Sequence, residues 1–330
     1  MKLPKFYIGP MTQNVIDAII ESVKYDNMSF GFIPSRRQVE WYDGYTGYNT
    51  ADFISYVRSK CENIIIERDH SGVGQGDTFD TPIYFDLKSM IHDAHNHIDI
   101  IHIDPWKKLK NYDAGLRETS NNILYVYQKN PKVLFEVGTE EAIYPYTDYE
   151  LYKLLKDLKY ELGEQIFKNI KYAVIQSGTR LEATKNIGKF DSERLTHMIE
   201  ACESFNILSK EHNGDYLTNE EIKMRFDNGL DAINIAPEFG VIETKVLLDN
   251  IKNKEDFEKI YDICINGGNW KKWIPEIYHV KRHLDDESKR HLIEICGHYH
   301  NKEIKQIVNI DDEIIKTVLK NRLKELNELI

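Results

Sequence analysis

The feature that most restricts the fold of this chain is a series of eight short apolar segments, many rich in β-branched residues, with amphipathic stretches between them. Such segments predict β-strands, and strands that alternate with helices predict a parallel sheet. Their spacing of roughly 25–40 residues is the length of one strand–helix unit. Eight such units most simply close into a (β/α)₈ TIM barrel. The predicted strands are 6–8, 30–33, 64–66, 98–103, 133–137, 172–175, 205–208 and 232–235.

The pattern changes after the eighth strand. Residues 1–250 hold the predicted barrel, whereas 251–330 show helical patterns only and end in a stripe of leucine and isoleucine. We interpret 251–330 as a helical extension packed on the barrel within a single domain. The alternative is an arm that docks a partner subunit.

Composition limits the classes of function. A net charge of −11 without a basic stripe disfavours nucleic-acid binding. No stretch approaches the roughly 20 apolar residues that span a bilayer, and the first ten residues lack the apolar run of a signal peptide. The four cysteines are widely separated, which argues against a disulfide framework and a cysteine zinc site. We therefore expect a cytoplasmic protein that binds a small molecule, with neither nucleic acid nor membrane as partner.

Polar residues concentrate at the ends of the predicted strands. In a barrel of this kind, chemistry is carried by the loops at the carboxyl ends of the strands. Loops are polar in general, but the pattern recurs at seven of the eight strands. The segments are 34–38, 67–72, 102–104, 138–141, 176–180, 211–215 and 236–240. The sequence thus predicts a polar site at this end of the barrel.

Six segments in the same order resemble the accessory, non-catalytic subunit family of class II tagatose-bisphosphate aldolase. Relatives of this family include metal-dependent ketose and ketose-phosphate 4-epimerases. The segments are Gly-Tyr-Thr-Gly at 44–47 with Thr-Ala-Asp-Phe at 50–53, Asp-His-Ser-Gly at 69–72, Ile-His-Ile-Asp at 101–104, Gly-Thr-Glu at 138–140, Glu-His-Asn-Gly-Asp-Tyr at 211–216 and Trp-Lys-Lys at 270–272. The resemblance implies a TIM barrel and a sugar substrate.

The resemblance also implies a divalent metal, because an Asp-His pair at a strand end binds metal and moves a proton in class II aldolases. Imidazole and carboxylate ligands suit Zn²⁺ or Mn²⁺. We predict His70, Glu140 and His212 as metal ligands. Candidates for proton transfer are Asp69, Asp104 and Glu211.

Other histidines have open alternatives. His102 alternates with Ile101 and Ile103, so its side chain is expected to point into the barrel with that of Asp104. It is either a contact to substrate or metal or a packed core histidine. His298 and His300 lie outside the strand pattern and are interpreted as ligands, as a lid over the site, or as neither.

Four arginines near strand ends distinguish this chain. Arginine binds phosphate or carboxylate in a bidentate manner, which predicts an anionic sugar such as a phosphorylated ketose, a sugar acid or a nucleotide-linked sugar. Structural ion pairs with Glu67, Glu141 or Glu238 are the alternative for some of them. Gly240, in the helix after the eighth strand, is expected near a phosphate because barrels often bind one there. The predicted substrate contacts are Arg36, Arg37, Arg68, Arg180, His102, Gln176, Ser177 and Gly240.

The leading hypothesis is a metal-dependent aldolase or 4-epimerase that uses retro-aldol chemistry on an anionic sugar. One alternative is a non-catalytic subunit that stabilises a separate class II aldolase chain, and another is a sugar-phosphate-binding regulatory protein. Either a homo-oligomer or a complex with an aldolase subunit is compatible with the sequence.

Overall fold

A computed structural model describes residues 3–76, 83–276 and 284–330. Eight strands form one sheet in which every pairing between neighbours is parallel. They are β1 (Phe6–Ile8), β2 (Phe30–Phe32), β3 (Glu67–Ser71), β4 (Ile100–Ile103), β5 (Leu134–Val137), β6 (Ile170–Ile175), β7 (Leu208–Glu211) and β8 (Ala232–Ile235).

The sheet curves into a nearly closed barrel. Its strand order is β2-β1-β8-β7-β6-β5-β4-β3. Two isolated parallel bridges, Phe32 to Ile66 and Ser35 to Asp69, connect the outer strands β2 and β3. The predicted (β/α)₈ TIM barrel is therefore confirmed. Two small pairs of strands lie outside it, Val39–Glu40 with Tyr48–Asn49 and Leu181–Glu182 with Lys185–Asn186.

Helices surround the sheet and form the part of the chain described after β8. They are α1 (Gln13–Tyr25), α2 (Thr50–Lys60), α3 (Ile83–His95), α4 (Tyr112–Lys129), α5 (Asp148–Phe167), α6 (Ser192–Glu203), α7 (Asn219–Asp227), α8 (Pro237–Asp249), α9 (Lys254–Gly267), α10 (Asp286–Cys296), α11 (Asn301–Ile307) and α12 (Asp312–Asn327). Two 3₁₀ turns, Asn269–Lys272 and Gly297–His300, lie between the last helices.

Helix α5 illustrates how the sequence specifies the outer layer. Thr147 and Glu150 form a capping box that satisfies backbone donors at its first turn. Leu151, Leu155 and Leu158, spaced three or four residues apart, are fully buried against the sheet. Burial of each such side chain stabilises the fold by about 1.5–3 kcal/mol.

Two strands begin later than the apolar pattern predicts. The third was expected at 64–66 and is found at Glu67–Ser71, and the seventh was expected at 205–208 and is found at Leu208–Glu211. Both strands therefore contain charged residues that were expected in loops. The physical reason is that this barrel buries ion pairs, so strand positions are not restricted to apolar residues.

The barrel interior is layered, because side chains of alternate strand residues face inward. An apolar cluster fills one end with Tyr7, Ile33, Ile65, Ile100, Tyr172 and Ala232. The next inward-facing positions on β3, β5 and β7 are Glu67, Glu136 and Lys210, and all three side chains are fully buried. These three residues are called the ionic layer below. The next inward residues on β3 and after β7 are Asp69 and His212. The ionic layer thus separates the apolar cluster from the carboxyl ends of the strands.

The last helices pack on the barrel helices. Helix α12 contacts α1 and α8, with Lys316 paired to Glu21 at 2.8 Å and Arg322 paired to Glu238 at 2.7 Å. Its buried residues include Leu319 and Leu323. No helix in the described parts of the chain is both long and apolar enough to cross a membrane.

Candidate metal centre

The segment Asp69–Gly72 turns inward at the end of β3. The pairing of β3 with β4 shifts register between Arg68 and Ser71, and His70 has a φ of 40°. A positive φ is unfavourable for a residue with a side chain and is often found at functional sites. Gly72 passes close to the next strand end, since an added Cβ would lie 2.0 Å from the carbonyl oxygen of Asp104. Glycine is required there for the chain to approach Asp104.

Three histidines converge at this end, and each is held by one ring nitrogen. His70 Nδ1 lies 2.6 Å from Asp104 Oδ2. His102 Nε2 lies 3.0 Å from the carbonyl oxygen of Gly138, and His212 Nε2 lies 2.9 Å from Glu136 Oε1. For His70 and His212, anchoring one nitrogen of the imidazole orients the ring and directs its other nitrogen toward a ligand. The other nitrogen of His102, Nδ1, accepts a hydrogen bond from the backbone N–H of His70 at 3.3 Å.

Asp69, His70, His102 and His212 are called the metal-ligand group below, because their possible ligand atoms lie close together. One nitrogen from each of His70, His102 and His212 and one oxygen of Asp69 all lie within 4.8 Å of one another. Asp69 Oδ1 lies 3.5 Å from His70 Nε2 and 3.7 Å from His212 Nδ1. This oxygen is buried and has no hydrogen-bond partner in the described structure.

These donors fit a divalent cation. A buried carboxylate oxygen without a partner is unfavourable, and a cation bound by the surrounding imidazoles would satisfy it. Three nitrogen donors and one oxygen donor suit Zn²⁺ or Mn²⁺. The group contains His70 and His212, as predicted, and adds His102 and Asp69. Glu140 lies beside it, with Oε2 4.0 Å from His70 Nε2.

The electrostatics of the site favour positive charge at His70. Burial acts to lower the pKa of His70, but the carboxylates of Asp69, Asp104 and Glu140 outweigh it and raise the pKa to about 10. Burial and the neighbouring histidines lower the pKa of His102 to about 4, although Glu136 acts in the opposite direction. The site thus holds several carboxylates around imidazoles, which attracts a cation.

Asp104 supports His70 and does not point freely into the cavity. It is fully buried, and its Oδ2 accepts hydrogen bonds from Gln75 Nε2 at 2.9 Å and Thr139 Oγ1 at 3.0 Å. Its Oδ1 accepts from the backbone N–H of Trp106 at 3.1 Å. Burial acts to raise the pKa of Asp104, but His70 and Thr139 lower it. The geometry gives Asp104 an orienting role in place of the predicted proton transfer.

The predicted role of Glu211 is wrong. This residue was predicted as a proton-transfer group, but it precedes His212 on β7 and faces the opposite side of the strand. Its Oε1 accepts from the backbone N–H and the hydroxyl of Ser177, at 3.0 and 2.5 Å. Its Oε2 pairs with Arg225 at 2.7 Å. Both carboxylate oxygens are therefore engaged outside the barrel.

A cavity of about 300 Å³ opens onto the metal-ligand group at the strand ends. Five of the predicted site residues line it: Arg37, Asp69, His70, Glu140 and His212. The cavity is lined further by Lys107, Asn213, Asp215, Asn234 and Lys272. Its volume is at the lower limit for typical small-ligand pockets.

Arg37 is the predicted arginine that lines this cavity. The predictions for Arg36 and Arg68 are wrong, because both side chains are buried in ion pairs and neither lines the cavity. The Arg68 guanidinium pairs with Asp93 and donates its remaining hydrogen bonds to Thr50 and two backbone carbonyls. All five of its N–H groups are used, so none remains for a substrate.

Arg36 pairs with Glu40 at 2.6 Å and with Asp86 at 3.1 Å. Arg180 is exposed on the loop after β6 and does not line the cavity. The alternative of structural ion pairs is thus correct for Arg36 and Arg68, although their partners differ from the predicted acids.

The predicted substrate contacts of Gln176 and Ser177 are also wrong. The Gln176 amide donates to the carbonyls of Thr139 and Tyr144, and its oxygen accepts from Tyr146 N and Arg194. Its hydrogen-bonding capacity is filled. Ser177 donates to Glu211, outside the barrel. Both residues stabilise the loop after β6 and do not face a substrate.

Gly240 does not form a phosphate site. It lies within α8 against the ring of His298, since an added Cβ would be 2.8 Å from that ring. The start of α8 is already capped, because Asp215 accepts from the backbone N–H groups of Ala236 and Glu238 at 2.8 Å each. Burial and Glu238 raise the pKa of Asp215 to about 8, although these two donors act to lower it. Neither His298 nor His300 belongs to the metal-ligand group.

Three residues of the site were missed from the sequence. Glu136 holds His212, and Lys210 pairs with Glu136 at 3.2 Å and with Glu67 at 2.5 Å. Asn234 on β8 lines the cavity with a buried carboxamide whose oxygen and nitrogen have no partner in the described structure. The alternation of strand residues could have indicated two of them, because Glu136 lies two residues before Gly138 and Lys210 lies two residues before His212.

No protein-family model matches the chain, and no curated protein matches it. Several solved structures are similar to it. A probable tagatose 6 phosphate kinase from Sinorhizobium meliloti 1021 has a TM-score of 0.74 and 14% identity, covering 99% of this chain and 100% of that one. A fructuronate-tagaturonate epimerase from Cohnella laeviribosi has a TM-score of 0.69 and 11% identity, covering 99% of this chain and 81% of that one.

A fructose-bisphosphate aldolase from Campylobacter jejuni has a TM-score of 0.58 and 12% identity, covering 98% of this chain and 90% of that one. At such low identities the likeness establishes the fold alone. Fold and site together define a (β/α)₈ barrel that brings three histidines and an aspartate together at its strand ends.

Proposed function

We propose that the protein is a metal-dependent sugar-processing enzyme, an aldolase or 4-epimerase that acts by retro-aldol chemistry on an anionic sugar. The observation that carries this proposal is the convergence of His70, His102, His212 and Asp69 at the strand ends, where all but the fully buried His102 line a cavity. The naming of two similar structures as a sugar epimerase and a sugar aldolase agrees with it. So does the sequence resemblance to the tagatose-bisphosphate aldolase accessory family.

The three imidazoles and Asp69 would hold Zn²⁺ or Mn²⁺. A bound divalent cation supplies Lewis acidity, which stabilises negative charge on the substrate's carbonyl oxygen. Asp104 and Glu136 orient His70 and His212 for this task. These contacts support the proposal that the four residues act as ligands, with Asp104 and Glu136 as their supports.

Proton transfer is assigned to Glu140, the carboxylate beside the metal-ligand group. Glu140 lines the cavity and accepts a hydrogen bond from Asn213. In retro-aldol cleavage, this carboxylate accepts the proton of the C4 hydroxyl while the C3–C4 bond breaks. The electron pair of that bond passes to the C2 carbonyl, leaving an aldehyde and an enediolate. Re-addition to the other face of the aldehyde gives the C4 epimer.

Asn234 is suited to hold a sugar hydroxyl during this reaction. Its unpaired carboxamide offers both a donor and an acceptor at the cavity wall. A hydroxyl that satisfied both atoms would remove the unfavourable burial of an unpaired amide.

The direct experiment measures the metal content of the purified protein, comparing wild type with His70→Ala and His212→Ala. We expect about one divalent ion per wild-type chain and loss of it in both variants. His197→Ala is the matched control, because His197 is exposed on α6 and lies outside the metal-ligand group. A metal-free wild type, or variants that keep both metal and sugar binding, would refute the proposal.

The reaction is then tested by incubating the metal-loaded protein with phosphorylated ketoses and with keto sugar acids. NMR separates the two outcomes, because cleavage gives an aldehyde and a smaller ketone whereas epimerisation gives a diastereomer with the same carbon chain. If the protein instead co-purifies with a second aldolase chain and turns over no sugar by itself, the accessory-subunit hypothesis replaces this one.

A further inference from the structure

Three cations line the cavity together with its acids. The acids Asp69 and Glu140 lie beside the histidines, and the cations are Arg37, Lys107 and Lys272. Arg37 and Lys107 are close enough for their charges to act on the ammonium of Lys272, as are the acids Glu140 and Asp69. In a chain with a net charge of −11, three cations on the wall of one cavity offer charge-assisted hydrogen bonds to an anionic group.

A second cavity adjoins this rim. It has a volume of about 200 Å³ and shares Arg37, Lys272 and two tyrosines, Tyr45 and Tyr299, with the first cavity. The remaining lining residues are Gly268 and Asn269, so among the residues that the structure describes this wall carries two cations and no acid. The two cavities share Arg37 and Lys272 and together form one polar space.

Lys272 reaches this space from the helical region after the barrel. It ends the 3₁₀ turn Asn269–Lys272, and its ammonium lies 4.3 Å from the ring centroid of Trp273, which also lines the first cavity. The neighbouring Lys271 points elsewhere, with its ammonium 5.7 Å from the ring centroid of Trp270. Two adjacent lysines therefore occupy different environments on the same turn.

We propose that Arg37, Lys107 and Lys272 form the subsite for the anionic group of the substrate, a phosphate monoester or a carboxylate. The residues after the barrel complete the substrate site through Lys272. This inference rests on the proposed function for the nature of the ligand, but the subsite is built from residues that are not members of the metal-ligand group. It also replaces the predicted ring of four arginines by one arginine and two lysines.

The test uses the full chain stripped of metal, titrated calorimetrically with inorganic phosphate and separately with malonate. Lys272→Met is expected to weaken binding of the preferred anion about tenfold or more, because one charge-assisted contact is lost. Lys107→Met should act in the same direction. Lys271→Met, which removes the same charge from the same turn, is the matched control and should leave the affinity unchanged.

The relative affinities for phosphate and malonate decide which anion the subsite prefers. Equal anion affinity in Lys272→Met and Lys271→Met overturns the proposal, as does the absence of any binding to wild type. Binding that depends on Lys272 in a protein that takes up no metal would support the subsite and refute the proposed enzymatic function. The two failures are thus distinguishable.

Discussion

Replacing Glu136 with glutamine tests whether the ionic layer of the barrel supports the metal centre. Glu136 Oε1 lies 2.9 Å from His212 Nε2, and both side chains are almost completely removed from solvent. Glutamine preserves the shape and one oxygen acceptor but removes the negative charge. The imidazole of His212 then loses a charge-assisted hydrogen bond that polarises its opposite nitrogen toward a metal.

The expected magnitude follows from this contact. Loss of an outer partner of a metal-bound histidine weakens metal affinity about 10–100-fold. Because glutamine can still accept a hydrogen bond from His212, we expect the lower end, about tenfold, which corresponds to about 1.4 kcal/mol. Glu67→Gln is the matched control: Glu67 also pairs with Lys210, at 2.5 Å, but it does not contact His212. Both variants replace one carboxyl group of the same buried layer with an amide.

The assay is competition for Zn²⁺ with a chromophoric chelator, supported by the absorption spectrum of the Co²⁺-substituted protein. Glu136→Gln should bind Zn²⁺ more weakly and alter the Co²⁺ spectrum, whereas Glu67→Gln should do neither even if it destabilises the fold. Equal loss of affinity in both variants would mean that the layer acts through general stability. Unchanged affinity in Glu136→Gln would refute an orienting role for this residue.

Two further predictions concern the fold. Arg68→Gln should lower the free energy of unfolding by about 3–5 kcal/mol in urea denaturation, because it leaves Asp93 buried without its partner, whereas Arg180→Gln should stay within about 0.5 kcal/mol. A loss of sugar binding in Arg68→Gln protein that remains fully folded would contradict this. Burial raises the pKa of Glu243, although three side chains donate to it, so the folded wild type retains its proton at higher pH than the unfolded chain. Wild type should therefore lose stability relative to Glu243→Gln as pH rises above about 4.3, and a constant difference across pH would refute this.

The fold could be predicted from the sequence because barrel strands and helices leave separate periodic signals. All eight predicted strands correspond to strands of the barrel, although some boundaries differ. The boundaries of β3 and β7 were misplaced because the search followed apolar residues. A lysine such as Lys210 predicts a loop when a single sequence is considered. Its burial is possible only because Glu67 and Glu136, on two distant strands, lie close to it in space.

Two errors in the predicted site, at Arg68 and Glu211, share one physical cause. Neighbouring residues of a strand face opposite sides, so a run of polar residues at a strand end contributes only every second one to the interior. Asp69 lines the cavity whereas Arg68 pairs with a helix, and His212 lies in the site whereas Glu211 pairs with Arg225. Alternation from Asp69 or His212 would have excluded both neighbours and pointed to Lys210.

The ionic layer also explains why the proposed metal ligands lie where they do. In many TIM barrels the interior is filled by apolar side chains, and function is confined to loops. Here Lys210 pairs with Glu136, which holds His212, so a ligand after β7 is anchored in the barrel core. His70 has no such anchor in the core and depends on Asp104 at the next strand end. The two sides of the metal centre are therefore supported separately, one by the core and one by the strand-end loops. Substitutions in the loop after β4 should consequently affect His70 without disturbing His212.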